Sequence, residues 1–231
     1  MKEHCKLFIT ATGTGIGKTY VSRLIADTYS MTGRKVSYFK PVQTGCVRAH
    51  SGQLRAPDAD YVFGGKALNK ESYGCHIPYR FEPACSPHLA ARLNSESISF
   101  SHIKQCLEKV SSGTDLTITE GAGGILVPLD DKRFMLDLMV FLKMPVLLVT
   151  SPELGTLNHT LLSLKELTRS GLTIAGCVIN NVLNTPDDFI YNDNLTMIRR
   201  FFHPAPVLVV PPGGQACDSV KDFCNALFQS I

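Results

Sequence analysis

The sequence predicts an α/β domain whose mainly parallel sheet is covered by helices on both faces. Three observations carry this: continuously apolar short runs alternate with longer amphipathic ones, the composition is that of a globular protein, and a glycine-rich loop joins the first strand to the first helix. That loop, Ala11-Thr12-Gly13-Thr14-Gly15-Ile16-Gly17-Lys18-Thr19, directly follows Leu7-Phe8-Ile9. Glycines let backbone N–H groups turn toward phosphate oxygens, and the following helix presents its positive N-terminus. Lys18 and Thr19 supply a cation and a hydroxyl ligand for Mg²⁺. The junction therefore predicts a P-loop NTPase-like fold that handles a nucleoside triphosphate. The common pattern has a glycine five residues before Gly17, where this chain has Thr12, so the loop is a variant.

The elements follow in order. Leu7 to Ala11 is the first strand, and Thr19 to Thr32 is a helix with Val21, Leu24 and Ile25 on its apolar face, stopped by Gly33. Val36 to Phe39 is the second strand, and a loop rich in Gly, Pro and polar residues runs from Pro41 to Pro57. Ser86-Pro87-His88 starts a helix with Pro at its first position and Leu89, Ala90 and Leu93 on its apolar face. Ser101 is the expected cap of the next helix, which carries Ile103, Leu107 and Val110. Leu116 to Glu120 is a strand ending in Gly121-Ala122-Gly123-Gly124. Pro145 to Thr150 and Thr173 to Ile179 are further strands, separated by a helix with Leu157, Leu161, Leu164 and Leu167. Val207 to Val210 is the last.

At 231 residues, 44% hydrophobic and 19% charged, the chain suits one soluble α/β domain, residues 1–231. The net charge of +3 is modest and the basic residues are scattered, so neither nucleic acid nor an anionic membrane is implied as a partner. Neither a signal-peptide pattern nor a membrane-length apolar stretch is seen, which predicts a cytoplasmic protein. The eight cysteines show neither a C-x-x-C pair nor zinc spacing and read as reduced thiols.

In such a sheet the ligand site lies beyond the carboxyl ends of the strands. The first strand leads to Lys18 and Thr19, the second to Lys40-Pro41-Val42-Gln43-Thr44-Gly45, the third to Glu120, and the fifth to Asn180-Asn181. Glu120 suits Mg²⁺, directly or through water, or is a solvated strand-end charge. Asn180 and Asn181 suit a turn as well as a ligand. Lys40 reaches the same edge as Lys18, where two cations can share a transferring phosphoryl group, and both lysines are expected on solvent-accessible loops. His88 reads better as a packing or capping residue than as a base, and His159 is similarly open.

These segments, together with Ala56-Pro57-Asp58-Ala59 and Leu154-Gly155-Thr156-Leu157-Asn158-His159, resemble dethiobiotin synthetase over roughly residues 7 to 181. The resemblance implies an ATP-dependent enzyme of biotin synthesis, usually a homodimer. It closes the ureido ring of dethiobiotin from 7,8-diaminopelargonate and CO₂ and releases ADP and phosphate. By position it implies that Gly15, Ile16, Gly17, Lys18 and Thr19, with the adjoining Tyr20, bind the nucleotide. Thr19, Asp58 and Glu120 would hold Mg²⁺, with Gly121, Ala122 and Gly123 alongside, and Lys40 would be the active-site lysine with Lys18. Thr44 would contact the diamine or its carbamate, and Gly155 and Asn158 of a second subunit would hold the substrate's carboxylate tail. Asn180 would read the adenine edge, with Asn181 and Pro211 nearby.

The family's usual loop begins Gly-Thr-Asp-Thr, whereas this chain has Ala11 and Gly13, and Gly15 replaces a frequent acidic residue. A ParA- or MinD-like ATPase switch is the alternative. Such switches typically carry an extra lysine where Gly13 lies, and this chain lacks it.

Overall fold

The computed structural model describes residues 4–64, 70–214 and 218–229. Its elements are β1 (Cys5–Ala11), α1 (Lys18–Ser30), β2 (Val36–Phe39), β3 (Val42–Gln43), β4 (Val47–Arg48), β5 (Leu54–Arg55), α2 (Pro57–Phe63), α3 (Lys70–His76), β6 (Tyr79–Arg80), α4 (Pro87–Leu93), α5 (Phe100–Ser111), β7 (Leu116–Gly124), α6 (Met135–Leu142), β8 (Val146–Thr150), α7 (Thr156–Arg169), β9 (Ile174–Asn180), α8 (Phe189–Phe202), β10 (Val207–Val210) and α9 (Asp218–Gln229). Six strands form one sheet in the order β10-β9-β8-β1-β7-β2, with every neighbouring pair parallel.

Alternation of side chains divides each central strand between two cores. Phe8 joins one core, while Leu7, Ile9 and Ala11 join the other; in β8, Val146 and Leu148 part from Leu147 and Val149 in the same way. The first core is closed by Ile103 and Leu107 of α5, Leu138 and Met139 of α6, and Ile198 and Phe202 of α8. Val21 and Ile25 of α1, with Phe223 and Leu227 of α9, close the second. Burial on both faces is why these strands read as unbroken apolar runs. From β1 the chain builds β2 on one side, then crosses after β7 to build β8, β9 and β10 on the other. The switch falls beside β1, and a crevice opens at its carboxyl end.

Several local expectations change. Ser99, not Ser101, caps α5, accepting a hydrogen bond from the His102 N–H at 3.3 Å. Leu93 is 63% exposed, and α4 buries Pro87 and Ala91 beside the expected Ala90. Of the leucine row of α7 only Leu167 is fully buried, and the rest of the buried face is Thr156, Thr160 and Ser163. The threonines tolerate burial because their hydroxyls satisfy one another, Thr150 to Thr156 at 3.0 Å and Thr150 to Thr160 at 2.7 Å. Among the described residues no helix is long and apolar enough to cross a membrane.

Candidate active site

The glycine loop leaves β1 at Ala11 and enters α1 at Lys18. Gly17 has φ of 87°, and a Cβ there would meet the Asn180 amide nitrogen at 2.1 Å, so only glycine fits. Asn180 braces the loop, its Nδ2 donating to the Ile16 carbonyl at 3.0 Å. Thr12 needs no glycine: its φ is not positive, and its N–H donates to the Val149 carbonyl at 3.0 Å. Gly17 caps α1 with no side-chain hydrogen bond, which leaves first-turn N–H groups for an anion.

Lys18 is only 7% exposed, and its Nζ donates to the Gly13 carbonyl at 3.2 Å. Burial, with the charge of Lys40, pushes its pKa down to about 8. Lys40 follows β2 and is buried as well. Its ammonium bonds Glu120 Oε1 at 2.7 Å and also the Asp58 carboxylate. Burial works to lower the Lys40 pKa, but Glu120 and Asp58 outweigh it and the pKa rises. For Asp58 the balance runs the same way: burial opposes the charge, yet Lys40 holds its pKa below the ordinary value.

Glu120 is fully buried and richly satisfied. Besides Lys40 it accepts from the Thr19 hydroxyl at 2.8 Å, the Ser22 hydroxyl at 2.9 Å and the Tyr38 hydroxyl at 2.8 Å. Burial and the neighbouring Glu120 carboxylate keep Tyr38 protonated by raising its pKa well above the usual phenol value. These groups surround a cavity of about 320 Å³ lined by Thr14, Gly15, Gly17, Lys18, Thr19, Lys40, Val42, Gln43, Thr44, Asp58, Glu120, Ala122 and Gly123.

Most residues singled out from the sequence thus meet in one place. Lys18 and Lys40 are buried, however, rather than on solvent-accessible loops, because Lys40 is drawn in by two carboxylates and Lys18 lies beneath the loop backbone. Ile16, Tyr20, Gly121, Asn180, Asn181, Pro211, Gly155 and Asn158 do not line this cavity. Tyr20 lines a neighbouring one of about 500 Å³ with Arg23, Gly213 and Gly214. Asn181 is committed to its own turn, exchanging hydrogen bonds with Thr185 at 3.0 and 2.7 Å. Gly155 caps α7 with φ of 95°. Sequence reasoning missed Ser22 and Tyr38. Spacing was the available signal, since Ser22 lies one helical turn after Thr19 and Tyr38 two strand positions before Lys40.

Thr19, Asp58 and Glu120 form a hard-oxygen set of the kind that Mg²⁺ takes when phosphates complete its shell. Among the described residues no three His, Cys, Asp or Glu side chains are grouped to hold a metal alone. The Lys40 ammonium lies against both carboxylates of this set.

A parallel sheet whose glycine loop feeds a helix N-terminus, with Lys18, Thr19 and a buried carboxylate at one crevice, defines a P-loop nucleotide-binding protein. Residues 5–216 match a family described as an AAA domain. MinD of Aquifex aeolicus superposes with a TM-score of 0.57 at 14% identity, covering 98% of each chain, and MinD neighbours of this kind show the fold alone. The ATP-dependent dethiobiotin synthetase BioD of Lysinibacillus sphaericus is 35% identical over 207 residues, covering 88% of this chain and 86% of the relative. That of Methanococcus vannielii is 32% identical over 195 residues, covering 84% and 88%. The chain belongs to the dethiobiotin synthetase family.

Proposed function

We propose that the cavity between Lys18 and Lys40 carries the ATP-dependent synthesis of dethiobiotin from 7,8-diaminopelargonate and CO₂, a step of biotin biosynthesis. The observation behind this is the convergence of Lys18, Lys40, Thr19 and Glu120 on one cavity in a chain of this family.

An amine of the substrate adds to CO₂, forming an N–C bond and losing a proton to give a carbamate. A carbamate oxygen attacks the γ-phosphorus, and ADP leaves. The neighbouring amine then attacks the carbon of this mixed anhydride, phosphate departs, and the ureido ring closes. No protein nucleophile is needed, so the enzyme's work is alignment and charge neutralisation. Lys18, with the N–H groups from Gly15 to Thr19, holds the phosphates. Lys40, released from Asp58 and Glu120, meets the carbamate and the transferring phosphoryl, while Thr44 contacts the substrate. Thr19, Asp58 and Glu120 hold Mg²⁺, which supplies further charge neutralisation when bound. Water must be kept from the anhydride until the ring closes. Tyr20, Asn180, Asn181 and Pro211 lie toward the nucleoside.

The protein acts as a cytoplasmic homodimer in this reading. Support comes from the exposed apolar residues Leu126 and Leu162, at 55% and 59%, beside a cavity of about 510 Å³ that also touches Thr12, Gly13 and His159. The substrate's carboxylate tail then reaches the partner's Gly155–Asn158 segment. Sedimentation should give a dimer at working concentration, and Gly155→Trp should weaken diamine binding without affecting ATP. A monomer with full activity would remove the partner from the site.

The function is tested by measuring ADP release with and without diamine and bicarbonate. Release dependent on both, with dethiobiotin found by mass, is expected. Release that ignores the diamine and responds to DNA or lipid would indicate a switch ATPase.

A further inference from the structure

The ion pair of Lys40 and Asp58 joins residues 18 positions apart, one just past β2 and the other in the first turn of α2. Both segments are held by α3, through Tyr73 and His76, which lie one helical turn apart. Ala56 caps α2, is fully buried and has no side chain that could bond the helix end. Its backbone is held from outside. The Ala56 N–H donates to the Tyr73 hydroxyl at 2.7 Å, and that hydroxyl donates to Asp60 Oδ1 at 3.0 Å. Arg55 closes the ring: its guanidinium donates to the two Asp60 oxygens at 3.0 and 2.6 Å, and its Cζ lies 4.4 Å from the centre of the Tyr73 ring. Tyr73 is itself buried, so removing its hydroxyl leaves the Ala56 N–H and an Asp60 oxygen each short of a bond. Asp58, two residues past Ala56, thus starts from a fixed backbone.

On the Lys40 side, β2 is the last strand of the sheet, and its outer edge takes partners from elsewhere. His76 supplies two. Its Nδ1 lies 2.5 Å from the Tyr38 carbonyl, which can only accept, so Nδ1 carries the proton. The His76 carbonyl in turn accepts from the Lys40 N–H at 2.9 Å.

We propose that Tyr73 and His76 are positioning residues: they fix the backbones carrying Asp58 and Lys40, so that this pair can open without the two segments parting. The assignment rests on the proposed reaction, in which Asp58 turns to Mg²⁺ and Lys40 to the carbamate. The bonds made by Tyr73 and His76 involve neither the Asp58 nor the Lys40 side chain, so they persist when those side chains change partners. Such placement matters because a misplacement of about 1 Å costs on the order of a hundredfold in rate.

The test is a double-mutant cycle read by the Mg²⁺-dependent binding of a non-hydrolysable ATP analogue to the full chain. Tyr73→Phe is expected to raise the Mg²⁺ half-saturation point about fivefold, and to add nothing in an Asp58→Asn background. An equal rise in both backgrounds would overturn the assignment, because the hydroxyl would not then act through Asp58; so would no rise at all. Should Tyr73→Phe not fold, His76 decides. His76→Leu should lower kcat for ADP release with diamine and bicarbonate about tenfold while the KM for ATP holds, and His76→Asn, whose amide donates from the place of Nδ1, should recover the rate. Equal losses in the two His76 variants would contradict the assignment. Two other results would strike the proposed reaction instead. If Asp58→Asn leaves the Mg²⁺ requirement unchanged, Asp58 leaves the metal set and the His76 variants judge the positioning role. If wild type binds the analogue but releases no diamine-dependent ADP, the binding cycle judges it.

Discussion

The two sides of the cavity shift the pKa values of their lysines in opposite directions. On the glycine-loop side Lys18 is buried and, among the described residues, has no carboxylate ion pair; it donates to the Gly13 carbonyl, and its pKa falls to about 8. On the opposite side Lys40 is buried against Glu120 and Asp58, and its pKa rises. Burial penalises both charges, so the difference lies in what neutralises them. Lys18 is poised for an incoming anion. Lys40 already has anions, which must be shared or exchanged before it can act on a substrate. Within a few side chains, one buried lysine thus rests on a backbone carbonyl and the other on two carboxylates.

The largest expected effects would break this contrast directly. Lys18→Met and Lys40→Met should each lower turnover roughly a hundredfold or more, the scale of losing one preorganised donor. Their stabilities should diverge. Removing Lys40 leaves Glu120 buried and uncompensated, a change worth about 3–5 kcal/mol in comparable buried pairs. Removing Lys18 relieves a desolvated charge, so denaturant unfolding should show little loss. Equal destabilisation in both variants would end the distinction.

A smaller effect follows from pH. Lys18 loses its proton above about 8, and the unprotonated amine no longer attracts phosphate. ATP affinity of the free protein should therefore be steady below that pH and fall toward tenfold per unit above it. Lys18→Met should abolish the dependence. An identical pH profile in wild type and variant would mean that Lys18 is not the titrating group.

Narrower in what it reads is Glu120→Gln, which keeps the side chain's shape and removes the charge that pairs with Lys40. The Mg²⁺ concentration for half-maximal rate should rise while the diamine KM changes less. An unchanged Mg²⁺ titration would exclude Glu120 from the metal set.

Much of this organisation was legible in the sequence, and the reason is geometric. Apolar strands buried on both faces deliver whatever follows them to one edge, so Lys18, Lys40, Glu120 and Asn180 could be placed together from their positions after strands. Asp58 could not, because Pro57-Asp58 passes for a turn; only the family resemblance picked it out. The supporting hydroxyls of Ser22 and Tyr38 sit in ordinary helix and strand positions, and only Glu120's burial gives them a task. The polar face of α7 was hidden for a similar reason. Thr150, Thr156 and Thr160 are buried through mutual hydrogen bonding, which no hydrophobic pattern records.

The central claim, that this cavity couples ATP cleavage to ring closure, is met most directly by a single turnover with ¹³C-bicarbonate, ATP and 7,8-diaminopelargonate. Quenched samples are read for ADP and by mass for the product. The account predicts that the label appears in dethiobiotin, with ADP formed in equal amount and neither appearing when the diamine is left out. ADP formed at the same rate without the diamine, or unlabelled product, would contradict it.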